Sequence, residues 1–271
     1  MLVGPSLLVT LAPHSGSRSL ARRLQVEVER PAGLTAGTHV GLWAGADRWP
    51  GRRMLGATRD PVAWHVAHFG HWARGASGAE RLAPWMAPAA AQAARAAAAE
   101  FGTLASAARH APALLGYLWA SYVVGVATPG AVLADVDARP AAMSWPMQGE
   151  TVAPARWMAE RGAGLATWGY VRQFYPRRLW SRGVDDLIAK APDMLADALV
   201  DCGQLDAGLA EVSQVWGLAL SGGAGAGASA APSPAVAPTS EQAERLRRAE
   251  RLIYVLHPGY LDGTAPPVVW A

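Results

Sequence analysis

The chain has one cysteine, Cys202, and one lysine, Lys190, in 271 residues. A single cysteine excludes disulfides within the chain and zinc sites built on paired cysteines. Cys202 reads as a small apolar residue on a helix face, and the usage fits a reducing cytoplasm. Phenylalanine is scarce as well, at three residues against twelve tryptophans. No HExxH or carboxylate spacing accompanies the histidines, and no nucleophile elbow surrounds Ser144, Ser181 or Ser213. The Gly-rich tract at Ser221–Pro238 lacks the strand before it and the Lys-Ser/Thr after it that a phosphate cradle needs. The opening residues Met1–Ala12 lack the basic region of a signal peptide. We expect a cytoplasmic protein with no metal and no cofactor.

With lysine almost missing, 23 arginines carry the fixed positive charge. The net charge is only +3, but it is unevenly placed. Residues 1–110 hold 12 arginines against six acids, whereas residues 184–220 hold Lys190 against seven acids. A basic body with one acidic segment can present a positive face. The densest signal is Tyr170 to Arg182, where Arg172, Arg177, Arg178 and Arg182 alternate with Phe174, Tyr175 and Trp180. Guanidinium groups bind phosphate with two donors at once and stack on flat rings. Interleaved aromatics can stack on bases. The rival reading pairs these arginines with Asp185, Asp186 and Asp193 in a structural segment.

The local patterns divide the chain into five segments. Residues 1–79 read as a β-rich basic part, with strands expected at Leu7–Leu11, Leu24–Glu29 and His39–Trp43. A helix follows, with Asp60 as N-cap and Pro61 at its first position. Residues 80–134 form an alanine-dominated helical insertion projecting as a hairpin. Within it, Ala111–Ala134 carries no charge over 24 residues. That length would span a bilayer, but its prolines and glycines favour a buried helix at Leu114–Val126. Residues 135–220 are mixed, with a strand expected at Leu165–Tyr175 and a helical stripe from Val184 to Leu199. Residues 221–238 read as a linker. Residues 239–271 hold a helix opened by the capping-box pair Thr239 and Gln242, then an edge strand near Trp270.

Two histidine groups bear on chemistry. His65, His68 and His71 are spaced by three, beside Trp64 and Trp72. Two of them could share a metal with a ligand from elsewhere. The alternative is an amphipathic helix whose histidines pack beside tryptophans. His14 precedes Arg18, Arg22 and Arg23. In a metal-independent ribonuclease, such a histidine deprotonates the 2′-hydroxyl while cations stabilise the phosphorane. His14, Arg22 and Arg23 are therefore the catalytic candidates, and a turn histidine beside surface arginines is the alternative. The nucleic-acid contacts are expected from Arg18, Arg172, Tyr175, Arg177, Arg178, Trp180 and Arg182.

The chain resembles the RAMP superfamily of CRISPR RNA-binding and repeat-processing proteins. The resemblance rests on an opening strand followed by the turn with His14, Arg18, Arg22 and Arg23, and on a helical insertion at 80–128. The Gly222–Ala230 run leads into a proline tract and a helix, whereas that family's Gly-rich loop leads into a strand. The resemblance implies a ferredoxin- or RRM-like unit and guide-RNA binding or metal-independent cleavage. The expectation is thus an α+β protein of short strands with a large helical insertion. It would bind RNA or single-stranded nucleic acid beside other protein subunits. A membrane-associated component of a conjugation or secretion assembly, and a structural subunit with Trp-rich interfaces, are the alternatives.

Overall fold

The computed structural model of the protein describes residues 1–4, 6–10, 20, 24, 41–128, 154–218, 220 and 236–270. Among these, five short strands form one mixed sheet in the order β1-β2-β3-β4-β5. Strand β1 (Leu2–Val3) turns back into β2 (Leu7–Val9), with the Gly4 N–H donating to the Leu7 carbonyl. The next two, β3 (Arg53–Thr58) and β4 (Ala198–Asp201), run parallel to β2 and to each other. Strand β5 (Val268–Trp270) closes the far edge antiparallel to β4. The three central strands end at the same edge, with Thr58 opposite Asp201 and the Thr10 N–H donating to the Leu55 carbonyl.

Parallel strands covered on both faces read as unbroken apolar runs, as Leu7–Val9 and Ala198–Val200 do. Alternate residues still face opposite ways. Leu7, Val9, Leu55, Ala57, Ala198 and Val200 pack with Leu20, Leu24 and Leu209 on one face. Leu8 and Leu199 enter the larger core on the other. Leu24 N–H donates to the Leu20 carbonyl. Helix α1 (Trp43–Ala46) precedes β3.

The larger layer is helical. In α2 (Pro61–Ala73) the Asp60 carboxylate accepts from the Ala63 N–H, and Pro61 occupies the first turn, as the sequence implies. Next come α3 (Gly78–Leu82), α4 (Pro88–Phe101), α5 (Leu104–His110) and α6 (Pro112–Ala127). Helix α4 buries Ala90, Ala91, Ala94 and Ala97 as one stripe. Helix α6 buries Leu118, Trp119, Tyr122 and Val126 inside the main core. It does not project as a hairpin, because Trp119 donates to the Gln242 side chain of the C-terminal region. No helix among the described residues is long and apolar enough to cross a membrane.

Helices α7 (Pro154–Arg161), α8 (Leu165–Phe174) and α9 (Val184–Ala189) follow. After β4 come α10 (Leu205–Trp216), α11 (Ser240–Ala249), α12 (Arg251–Leu256) and α13 (Gly259–Asp262). The capping box between Thr239 and Gln242 opens α11 with both reciprocal bonds present. The result is α+β with a helical majority. One core cluster draws residues from Met1 to Ile253, so the segments drawn at 1–79, 80–134, 135–220 and 239–271 pack together.

Several local readings change. Leu165–Phe174 is a helix and not a strand; all ten of its residues are buried, so no polar stripe marks its period. The helical stripe read through Leu199 stops at Ala189; a 3-10 turn containing Pro192 intervenes, and β4 begins at Ala198. Trp43 opens a helix instead of closing a strand. Strand β3 was unread in the sequence. The βαββαβ order of a ferredoxin-like unit is not the order seen, which is sequential with a parallel centre. The strand expected at Leu24–Glu29 lies outside the described residues apart from Leu24, as does the linker apart from residues 236–238.

Candidate ligand site at the carboxyl ends of the parallel strands

His14, Arg18, Arg22 and Arg23 lie outside the described residues. The Tyr170–Arg182 group divides into an inner and an outer half. Arg172 is 2% exposed and stands over Trp180 at 4.1 Å and Trp168 at 5.8 Å. Arg177 lies over Trp43 at 4.1 Å and Trp180 at 5.6 Å. Two guanidinium groups thus alternate with three indoles in one cation–π stack. Burial, and secondarily the charge of Arg177, lowers the Arg172 pKa to about 10. Tyr175 and Trp180 are committed inside: Tyr175 O–H donates to the Leu187 carbonyl, and Trp180 Nε1–H donates to the Tyr175 carbonyl. Neither presents a ring for a base to stack on, which corrects their expected role. Arg177, Arg178 and Arg182 are exposed. Of the acids in the rival reading, Asp193 reaches Arg178 only at 3.8 Å, and Asp185 pairs with Arg251 at 2.6 Å.

The strand ends gather a second group. Thr10 follows β2, Thr58 ends β3 before Arg59 and Asp60, and Asp201 ends β4 before Cys202. Thr10 Oγ1 donates to Gln173 Oε1, which ties the end of β2 to the residue after Arg172. Tyr254 O–H donates to Asp60 Oδ2 at 2.9 Å, and Tyr260 O–H to Asp201 Oδ1 at 3.0 Å. Thr58 also hydrogen-bonds Tyr260. Burial first, then the adjacent carboxylate, raises the pKa of both phenols. Burial likewise raises the Cys202 thiol, while Arg59 pulls it down. Between the two tyrosines in sequence lies His257, buried, with Nε2 at 2.8 Å from the Tyr170 hydroxyl. Burial lowers its pKa to about 4, so the ring is neutral at pH 7.

A third group explains the histidine triplet. Glu250, fully buried, accepts from His65 Nε2 at 2.7 Å and from the Ala166 and Thr167 N–H groups at 3.0 and 2.6 Å. Its carboxylate therefore caps the amino end of α8, where the helix dipole favours negative charge. Gly164 makes room, since a Cβ there would stand 2.1 Å from Glu250 Oε1. His65 Nδ1 meets the Tyr122 hydroxyl at 3.0 Å, which meets His68 Nδ1 at 2.9 Å. His68 Nε2 accepts from Trp72 Nε1–H at 3.2 Å. An indole N–H can only donate, so the direction is set along the whole chain. Trp72 donates to His68, His68 to Tyr122, Tyr122 to His65, and His65 to Glu250. A protonated His65 would reverse it and set Trp72 N–H against His68 N–H. Trp64 stacks on His68 at 5.0 Å, the packing arrangement weighed for these histidines; His71 is exposed. No metal-binding cluster occurs among the described residues.

Thr58, Asp201, Tyr254, His257 and Tyr260 were not singled out from sequence. The spacing Tyr254-x-x-His257-x-x-Tyr260 was the available signal. Comparison of the chain with protein-family models, curated proteins and solved structures finds no match.

Proposed function

We propose that the protein binds a phosphate-bearing small molecule of the nucleotide class at the carboxyl ends of β2, β3 and β4. The observation that carries this is the parallel centre of the sheet, whose three strands end together at Thr10, Thr58–Asp60 and Asp201. In open α/β sheets, ligands bind outside the carboxyl ends of the strands where the strand order reverses; here the parallel ends come together in sequential order, without that reversal. The chain's only lysine, Lys190, ends α9, so a P-loop lysine has no counterpart and arginine must supply the cation. Arg59 lies beside the acids, and Arg172 is next to Gln173, the partner of Thr10. Asp60 and Asp201 are the acceptors suited to sugar hydroxyls.

Calorimetry and thermal shift with ATP, AMP and pyrophosphate test the reading. Wild-type protein is expected to bind at least one of them. Arg59→Ala should weaken that binding by about 10-fold or more, as loss of a charged hydrogen bond does. No heat and no melting shift with any of the three would refute the reading.

A second reading, binding of RNA or single-stranded nucleic acid, is favoured by the exposed Arg177, Arg178 and Arg182, of which Arg177 lies over Trp43. If they meet phosphates, an Arg177→Ala/Arg178→Ala variant should bind a single-stranded oligonucleotide more weakly. The log-affinity against log-salt slope should fall by up to about 0.7 per lost contact. An unchanged slope would remove this reading.

A further inference from the structure

The amino end of the sheet carries a second concentration of guanidinium and indole groups. Arg53 opens β3 and Thr58 closes it, so this rim lies about 17 Å from the strand ends that hold Thr58 and Asp201. The turn from α1 into β3 contains Arg48, Trp49, Arg52 and Arg53. Gly51, at φ 79° and with open space where a Cβ would stand, reverses the chain there. Arg48 and Arg52 thereby come over the Trp49 ring, at 4.9 and 5.8 Å. Consecutive strand residues point to opposite faces, so Arg53 leaves Trp49 and lies over Trp216 at 5.2 Å. Trp216 in turn meets Trp270 edge-on at 5.9 Å.

These three guanidinium groups lack counter-ions. Among the described residues none of them pairs with a carboxylate, Asp47 beside Arg48 included, and Arg52 Nη1 makes no hydrogen bond. Asp197 and Glu211, also at this end, are occupied: Asp197 accepts from Met54 N–H at 2.6 Å and Glu211 from Trp270 Nε1–H at 2.9 Å. Three like charges within six residues repel one another, and stacking on indoles fixes them where pairing does not. Arg48 and Arg53 are exposed, so their N–H forks remain open to phosphate, which a guanidinium binds with two donors at once. Trp270 is 38% exposed, and among the described residues no guanidinium covers its ring.

We propose that this rim binds single-stranded nucleic acid: Arg48, Arg52 and Arg53 hold its phosphates, and Trp270 stacks a base. The inference rests on the nucleic-acid reading, but on residues separate from Arg177, Arg178 and Arg182. A single strand offers both groups that the rim is built to take, charged phosphates along the backbone and flat faces beside them. An acidic peptide offers the charge without the flat faces. Helix α1 joins the two sets of residues. Trp43, under Arg177, and Trp49, whose N–H donates to the Gly45 carbonyl, are six residues apart, about 9 Å along a helical path. One strand can therefore run from Arg177 across α1 to the rim.

The test measures the anisotropy of a labelled single-stranded RNA of about 12 nucleotides over a range of salt. Wild type is compared with Arg48→Ala/Arg53→Ala, Trp270→Ala and Arg177→Ala/Arg178→Ala, and the melting temperature of each unliganded protein is recorded. Poly-glutamate is the competing polyanion. Arg48→Ala/Arg53→Ala should bind about 10-fold or more weakly, with the log-affinity against log-salt slope lower by up to about 1.4 for two lost contacts. It should melt within about 2 °C of wild type, because both side chains are exposed. Trp270→Ala should lose about 5-fold or more in affinity with the slope unchanged. If the Arg177→Ala/Arg178→Ala variant binds weakly while both rim variants bind as wild type does, the inference fails and the nucleic-acid reading stands on Arg177 and Arg178. If poly-glutamate displaces the RNA at equal charge concentration, the rim takes any polyanion and the nucleic-acid assignment is overturned. If wild type does not bind the RNA, the nucleic-acid reading fails and takes the inference with it; that outcome is visible in wild type alone.

Discussion

Replacing Glu250 by glutamine should destabilise the protein at the amino end of α8, and the size follows from what each carboxylate oxygen accepts. The carboxylate accepts three hydrogen bonds and donates none. The introduced amide has one accepting oxygen and an NH2. Oε1 accepts from His65 Nε2–H and the Ala166 N–H, and Oε2 accepts from the Thr167 N–H. With the amide oxygen in the Oε1 position, His65 and Ala166 keep their acceptor and the NH2 faces the Thr167 N–H. Turned over, the oxygen keeps only Thr167, and the NH2 faces both His65 and Ala166. Either way a backbone N–H is opposed, and it has no proton to shift. Losing a charged acceptor in the interior and leaving a donor unsatisfied costs about 3–5 kcal/mol. At roughly 2 °C per kcal/mol for a chain of this size, Glu250→Gln should melt about 6–10 °C below wild type. The Thr167 N–H lies outside the directed chain, so Glu250→Gln should cost the same within about 0.3 kcal/mol in a Trp72→Phe background. Denaturant melts of the four proteins at pH 7 give the coupling. A coupling above about 1 kcal/mol would refute the reasoning, as would a melting loss below about 2 °C for Glu250→Gln alone.

The buried His257 sets an acid limit. Its folded pKa is about 4 against an ordinary 6.5, so the unfolded chain takes up the proton first. Stability is unaffected above pH 6.5 and is lost as pH falls from 6.5 towards 4, by up to about 3 kcal/mol. His257→Phe should flatten that stretch of the stability curve; the same slope in both proteins would assign the acid loss to other groups. Gly164→Ala would push a methyl into the Glu250 carboxylate and should cost about 1–3 kcal/mol. Gly183→Ala, where a Cβ meets nothing, is the matched control, and equal melting of the two variants would discount the close approach.

What the sequence determined by itself was local. Asp60-Pro61 marks a helix start because the cap and the proline act within one turn, and Thr239 with Gln242 does the same. The alanine run from Pro88 is helical by intrinsic preference, and the short strands at Leu7–Val9 and Val268–Trp270 lie in apolar stretches beside turn residues. The site was decided elsewhere. Burial on every side erased the period of α8, so ten aromatic and β-branched-rich residues read as a strand. Arg172, Tyr175 and Trp180 looked like an outward binding surface because spacing cannot distinguish a guanidinium stacked on indoles within the chain from one offered to a ligand. His65 meets Glu250 across 185 residues, and Tyr254 meets Asp60 across 194. No window of sequence holds both ends of such a bond. Only the packing of α2, α6, α8 and α12 over the parallel sheet brings them together, because the cost of burying each polar group is offset by a partner the chain reaches only when folded.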